Sequence, residues 1–249
     1  MNERQTLLLS MYKDVKTAFE DNNIVFYGLF GTALGAIRHK GLIPWDDDID
    51  LAIMQDDVDR ACDVLEKELD PEKYYIHRPS ADTQPHVVLR TPEVENELKE
   101  KTAIFIDLFV IERYPTRKVR RGLAWLFTWS GLLWISALNH VHSPGIHGLF
   151  SRLPRAFRRM SRRVVENDSE MTTVYCTTFK RYIFDRSLYG TPADYDFEDT
   201  TVPLPAKVED FLVHEYGDYM ELPPEDKRTG ASGFPCSIYL DYIRDCGKK

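Results

Sequence analysis

The stretch from Tyr27 to Ala52, YGLFGTALGAIRHKGLIPWDDDIDLA, decides the reading of this chain. A small-residue turn, Gly31-Thr32, precedes a dense carboxylate cluster of Asp46, Asp47, Asp48 and Asp50. Asp48-Ile49-Asp50 opens an apolar run, Leu51-Ala52-Ile53-Met54, which predicts a strand. Residues two apart on a strand point to the same side, so Asp48 and Asp50 project together, about 7 Å apart along the chain. Two carboxylates so placed repel each other unless a cation lies between them. Magnesium is held in this way, by one or two carboxylates together with substrate phosphate oxygens. A glycine turn that brings backbone N–H groups to a phosphate completes the expectation of a phosphoryl-transfer site.

A solvated acidic turn is the competing reading. The apolar setting of Leu42, Ile43, Trp45, Ile49 and Leu51 speaks against it. An EF-hand loop shares the Asp46-x-Asp48-x-Asp50 spacing but requires Gly at its sixth position and Glu at its twelfth. Those positions hold Leu51 and Asp57, which excludes it.

The third carboxylate candidate is Asp107, in the middle of the apolar run Ala103-Ile-Phe-Ile-Asp107-Leu-Phe-Val110. A buried carboxylate without a partner is costly or protonates. Either a metal shared with Asp48 and Asp50 or an ion pair with Arg90, on the run His86 to Arg90, resolves that cost. Asp46 and Asp47 read equally well as further ligands or as supporting groups.

The rest of the chain alternates helices and strands. Leu7, Leu8, Met11, Val15, Ala18 and Phe19 mark a first amphipathic helix ending near Asn22-Asn23. Ile24–Leu29 reads as a strand. Thr32 is the expected N-cap of a helix running to His39, with Gly41 closing it. Ile49–Met54 is the next strand, followed by a helix from Asp56 to Leu69. Tyr74–His77, His86–Thr91 and Ala103–Val110 are further strands. Val208–Tyr216 is a helix, with Gly217 expected in the left-handed conformation at its end. The fold class is α/β (α+β), a mixed sheet flanked by helices, and strand, turn-helix, strand with a DxD matches the minimal nucleotidyltransferase core.

Three blocks resemble the LicD family of phosphotransferases, relatives of fukutin and fukutin-related protein in the nucleotidyltransferase superfamily. They are GTALGAIRHKGLIPWDDDIDLA from Gly31, FIDLFVIE from Phe105, and FEDTTVPLPAKVEDFLVHEYGDYMELPPEDKR from Phe197. The resemblance implies transfer of a phosphorylated alcohol, such as phosphocholine or ribitol phosphate, from a CDP-linked donor to a cell-surface or lipid-linked glycan. It implies Mg²⁺, or Mn²⁺, on Asp48, Asp50 and Asp107, with Gly31 and Thr32 facing phosphate. One departure is visible: family members often carry a histidine after the terminal PP…R, where this chain runs on into Thr229-Gly230-Ala231-Ser232-Gly233.

Around that core, Gly31 and Thr32 begin a helix whose dipole favours anions. Arg38, His39 and Lys40 are near enough in sequence to contact phosphate, and they also suit a solvated helix end. Asp107 is a candidate general base for the acceptor hydroxyl if it is not committed to metal. Tyr216 and Tyr219, in Tyr216-Gly-Asp-Tyr-Met220, can stack on a base or enclose an ammonium. Two rival classes stand beside this reading. A DxD glycosyltransferase also holds a nucleotide diphosphate but does not require the upstream turn or the third aspartate. A non-catalytic binding relative is disfavoured by the presence of all three carboxylates.

At 249 residues, with 43% apolar residues, four Trp, 13 Tyr and 13 Phe, the chain can bury a sizeable core. Met1–Asp21 is polar and amphipathic, unlike a signal peptide. Cys62, Cys176, Cys236 and Cys246 lack metal-site spacing and read as reduced packing residues of a cytoplasmic protein.

Charge is unevenly placed. The chain carries a formal −8, yet Arg113–Val165 holds 11 Lys and Arg and no Asp or Glu. The same block holds Trp125, Trp129 and Trp134. Its uncharged run Gly122–Leu138 has 17 residues, at the short limit for a bilayer-spanning helix. Tryptophans in its middle and basic residues on both flanks argue against a span. Leu153, Phe157, Met160 and Val164 recur at helical spacing with arginines opposite. That pattern predicts a basic amphipathic helix on an anionic membrane surface, hence peripheral attachment at the inner face of the cell membrane. A buried helix followed by a solvated one is the alternative. No nucleic-acid motif accompanies the basic block. The expected organisation is a catalytic core over 1–112, a basic, Trp-rich helical insertion over 113–165, and 166–249 completing the core.

Overall fold

The computed structural model describes residues 1–78, 84–90, 104–138, 152–175 and 182–230. Cys176, Cys236 and Cys246, and the expected strand ends at Thr91 and Ala103, lie outside them. The described residues form a mixed α/β fold in two compact units. One takes in 1–78, 85–90, 104–108 and 188–230, the other 84, 109–138, 152–175 and 182–187.

The first unit begins with α1 (Glu3–Asp21), entered through a capping box. The Asn2 side chain accepts from the Gln5 N–H at 2.8 Å, and Gln5 Oε1 accepts from the Asn2 N–H at 3.1 Å. Leu8, Met11, Tyr12, Val15 and Phe19 recur at helical spacing and are buried on one face. Strand β1 (Phe26–Gly28) lies antiparallel to β2 (Ile49–Met54), pairing Gly28 with Leu51. Between them runs α2 (Phe30–His39). After α3 (Val58–Glu68) come β3 (Tyr74–His77), β4 (His86–Leu89) and β5 (Phe105–Arg113). The strand order is β1-β2-β5-β4-β3, so the strand bearing Asp50, with Asp48 just before it, adjoins the strand bearing Asp107.

Ile49, Leu51, Phe105 and Phe211 are wholly enclosed in the core. Cys62 is a free thiol inside α3, its pKa pushed up to about 12 by burial. Farther along, β8 (Ala193–Phe197) and β9 (Thr200–Leu204) form a hairpin, and α6 (Val208–Tyr216) follows. Gly28 has no room for a side chain, since a Cβ there would meet Val202 Cγ2 at 2.8 Å.

In the second unit, Val110–Arg113 of β5 pair with β6 (Met171–Tyr175), and β6 pairs with β7 (Ile183–Asp185). Two helices, α4 (Lys118–Leu138) and α5 (Arg152–Arg163), pack on each other. Thr128 Oγ1 lies 3.2 Å from Ser161 Oγ across that contact. Buried Glu112 is paired with Arg158 at 2.8 Å and Arg162 at 2.6 Å. Among the described residues no helix is long and apolar enough to cross a membrane.

Several local expectations need correction. Thr32 does not cap α2; the cap position is Leu29, without a side-chain bond, and Phe30 turns the chain with φ +44°. Lys40, not Gly41, takes the left-handed conformation that ends α2. Gly217 has positive φ but ψ −118°, outside the left-handed helical region. The arginines of α5 are not all solvated, because Glu112 claims two of them. Arg90 is not the partner of Asp107: its Nε donates to the Tyr74 carbonyl at 3.1 Å and its guanidinium sits over the Tyr75 ring.

Candidate active site

Strand geometry brings the expected carboxylates together. One oxygen each of Asp48, Asp50 and Asp107 lie within 4.8 Å of one another. Asp46, Asp47 and Asp48 form a second such group, so Asp48 belongs to both. Asp50 and Asp107 are buried and Asp48 is half-buried.

The Gly31-Thr32 turn serves this cluster directly. The Gly31 N–H donates to Asp50 Oδ2 at 3.2 Å, near the N-terminus of α2, where a carboxylate is favoured. Thr32 Oγ1 in turn accepts from the Asp50 N–H at 2.8 Å, buried beneath the site. A Cβ at Gly31 would stand 2.5 Å from Asp46 Oδ2, so the acidic loop approaches α2 only because this residue is glycine. Gln5 secures the loop from the other side. Its buried amide donates to the carbonyls of Ile43, Pro44 and Asp46 at 3.0, 3.3 and 3.1 Å. Arg4 Nε donates to the Asp47 carbonyl at 2.7 Å. Sequence reading missed both residues; the Asn2-x-x-Gln5 box was a signal for the helix start, with nothing to link it to residue 46.

Behind Asp107 stand two histidines that were also missed. The β4–β5 register sets His86 opposite Asp107, with Nε2 at 2.7 Å from Oδ1. His77, opposite His86 on β3, places Nδ1 at 3.2 Å from His86 Nδ1. Both rings are buried. One proton between the two Nδ1 atoms satisfies that contact.

A cavity of about 560 Å³ opens on the carboxylates. Asp46, Asp48, Asp50 and Gly31 line one part, and Phe30, Leu34, Trp45, Tyr216 and Tyr219 form much of the wall. Arg38 also lines it, with Nη1 donating to the carbonyls of Tyr219 and Glu221 at 2.8 and 3.3 Å. His39 instead meets the Trp45 ring edge-on, and burial together with Arg38 lowers its pKa. Lys40 is the exposed C-cap of α2 and does not line the cavity.

Electrostatics show what the cluster accommodates. Burial, then the charges of Asp46, Asp107 and Asp47, push Asp48 up to about 8. Burial and the charges of Asp48 and Asp107 raise Asp50 well above the usual carboxylate range, against the Gly31 N–H. Asp46 is raised as well, chiefly by burial. Protons are thus held where positive charge is wanted. Converging hard oxygen donors fit a divalent ion such as Mg²⁺ or Mn²⁺ in their place.

Residues 23–129 match the family profile described as LicD/FKTN/FKRP, nucleotidyltransferase domain. The chain is 25% identical, over 91% of its length and 93% of the relative's, to the lipopolysaccharide cholinephosphotransferase LicD of Haemophilus influenzae. Looser likenesses to solved structures include ANT(2″)-Ia in complex with adenylyl-2″-tobramycin, at TM-score 0.30 and 12% identity, covering 62% of this chain and 96% of that one. A solution structure of ANT(2″)-Ia gives TM-score 0.32 and 13% identity, over 64% of this chain and 91% of that one. The stretch that holds Asp48, Asp50 and Asp107 thus lies within the residues that match the LicD/FKTN/FKRP nucleotidyltransferase domain.

Proposed function

We propose that this protein is a divalent-metal-dependent phosphotransferase. It moves a phosphorylated alcohol, phosphocholine or ribitol phosphate among the candidates, from a CDP-linked donor to a cell-surface or lipid-linked glycan. The observation that carries the reading is the convergence of Asp48, Asp50 and Asp107 within 4.8 Å beside a cavity of about 560 Å³. The alignment of nearly the whole chain with a relative named a cholinephosphotransferase supports the same reaction class.

Asp48, Asp50 and Asp107 are the residues that would hold Mg²⁺ or Mn²⁺. When bound, the ion would neutralise the donor diphosphate and polarise its phosphoryl oxygens. Gly31 holds the Asp50 carboxylate and Thr32 holds the Asp50 backbone N–H, and the N-terminus of α2 that they begin would favour phosphate. Arg38 adds a fixed positive charge at the cavity wall. Asp107 keeps one oxygen against His86, and its other oxygen, where it is not committed to metal, is the candidate acceptor for the proton of the glycan hydroxyl. The hydroxyl oxygen then attacks the phosphorus that bears the alcohol. The bond from that phosphorus to the bridging oxygen breaks, and CMP leaves. Tyr216 and Tyr219 are positioned to pack against the donor.

A donor panel tests this. CDP-alcohols, UDP-sugars and GDP-sugars are each incubated with Mg²⁺ and glycan acceptor, and the released nucleotide is identified. CMP from a CDP-alcohol is the expected product. Release of UDP or GDP from a nucleotide sugar instead would assign the site to glycosyl transfer.

A further inference from the structure

We propose that Arg38 is a positioning residue: it holds the 217–228 segment, a strap that follows α6, in place as the donor-facing wall of the cavity, a role that rests on the donor reading above. Asp218, Tyr219, Glu221, Leu222, Pro223 and Pro224 of the strap all line that cavity. The strap's backbone bonds join near neighbours. The Tyr219 N–H donates to the Gly217 carbonyl at 2.9 Å, that of Glu221 to Asp218 at 3.2 Å, and that of Lys227 to Pro224 at 2.9 Å. Such turns shape a segment without setting where it lies against its neighbours. Arg38 sets that. Its Nη1 donates to the carbonyls of Tyr219 and Glu221, so one guanidinium nitrogen spans the bend that carries Tyr219. A second tie closes the far end. The Arg228 guanidinium sits over the Trp45 ring at 5.4 Å, and its Nε donates to the Pro223 carbonyl at 2.9 Å.

Gly31 and Arg38 lie on one helix, so about 10 Å separates them along α2. Gly31 holds the Asp50 carboxylate at the beginning of that helix, and Arg38 holds the strap near its end. Leu34, between them, lines the cavity too. One rigid helix thereby sets the distance from the carboxylate cluster to the Tyr219 wall. That span is on the scale of a nucleoside diphosphate, whose phosphates belong at the carboxylates. Its base or its alcohol then reaches the rings of Tyr216, Tyr219 and Trp45, which face the same cavity. Arg38 therefore acts on donor binding through Tyr219 and the strap. An arginine in contact with phosphate, the role that its place beside His39 and Lys40 suggests, would act on the diphosphate instead.

The test is calorimetric titration of the full chain, with Mg²⁺ and no acceptor, using CDP-choline, CDP-ribitol and inorganic pyrophosphate as probes. Arg38→Gln should weaken binding of the CDP-alcohol about tenfold, the order expected for one stacked ring, and leave pyrophosphate binding unchanged. Arg38→Lys, with the charge kept and the reach shortened, should stay weakened several-fold. Arg38→Gln combined with Tyr219→Ala should lose no more than either change alone, because both act through one wall. Hydrogen exchange over 217–228 should quicken in Arg38→Gln and in Arg228→Gln while the circular dichroism spectrum is kept. Equal loss of CDP-alcohol and pyrophosphate binding would make Arg38 a phosphate contact and overturn the proposal. So would an unchanged CDP-alcohol affinity in a variant whose strap exchanges faster, or losses that add in the double variant. A parent chain that binds pyrophosphate and neither CDP-alcohol would overturn the donor reading itself, and the wall's role with it.

Discussion

His86 Nε2 lies 2.7 Å from Asp107 Oδ1, and His77 Nδ1 lies 3.2 Å from the far nitrogen of the same His86 ring. The three side chains sit on adjacent strands at positions set by backbone register, His77 opposite His86 and His86 opposite Asp107. A buried imidazole nitrogen this close to a carboxylate oxygen restrains the carboxylate, and outer partners of this kind change metal affinity by about 10- to 100-fold. His86→Leu should therefore weaken Mg²⁺ activation by at least about tenfold. His86→Gln, whose amide nitrogen replaces Nε2, should recover most of it. Equal loss in both variants, with Mg²⁺ affinity by calorimetry unchanged, would assign His86 to core packing alone.

Asp48 and Asp50 give the metal-free protein a characteristic pH dependence. Their folded-state pKa values are raised, Asp48 to about 8, while an unfolded aspartate titrates near about 3.9. Stability from these groups is present in full below the unfolded pKa and is lost as pH rises toward about 8. Without metal, the melting temperature should fall across that window. Mg²⁺ should raise it most at the alkaline end, where protons no longer compete. Below about pH 8 the apparent Mg²⁺ affinity should tighten about tenfold per unit for each proton displaced. An affinity that does not vary with pH would contradict this.

Asp50→Asn removes one of the repelling charges and one of the ligand candidates. Metal-free D50N should melt higher than the metal-free parent, and Mg²⁺ should no longer shift its melting point. Turnover should fall by at least about 100-fold, since charge stabilisation of this kind is worth several kcal/mol. Retention of activity in both D48A and D50A would count against the proposed chemistry.

Glu112 should respond to pH in the opposite sense. Burial alone would raise its pKa, but Arg158 and Arg162 more than offset this and hold it below the usual carboxylate range. Its contribution is present above the unfolded pKa, about 4.3, and is lost as pH falls through the lower folded value. Glu112→Gln leaves two guanidinium groups facing a neutral amide. With Arg162 half in solvent, a cost at the low end of the range for buried pairs, about 3 kcal/mol, is expected in urea melts at pH 7. Below the lowered folded value the variant and the parent should converge.

Gly31→Ala tests the approach of the acidic loop to α2. The new methyl would stand 2.5 Å from Asp46 Oδ2, so the Asp46 carboxylate must turn aside or the loop retreat. Mg²⁺ activation should weaken several-fold while the circular dichroism spectrum stays unchanged. An activity profile identical to the parent would show that Asp46 has room to turn aside.

Local pattern was enough for much of this molecule. The α6 helix falls on the expected Val208–Tyr216, because its apolar spacing is written in consecutive residues. The β2 strand falls on Ile49–Met54 for the same reason, with Asp50 within it and Asp48 just before it. Asp107 stood out because an acid inside an apolar run calls for compensation.

Features that depend on which segments meet were out of reach. Nothing along the chain tells that the Gln5 amide carries the 43–46 loop, or that Glu112 waits for arginines some 46 and 50 residues away. Arg90 was a reasonable partner for Asp107 by proximity. Antiparallel register turned His86 toward it instead, and register is a property of two strands together. Composition and periodicity state what each segment must hide. Packing chooses the partner that hides it, and in the pleated β4–β5 pair that choice put a histidine, not an arginine, against the third aspartate.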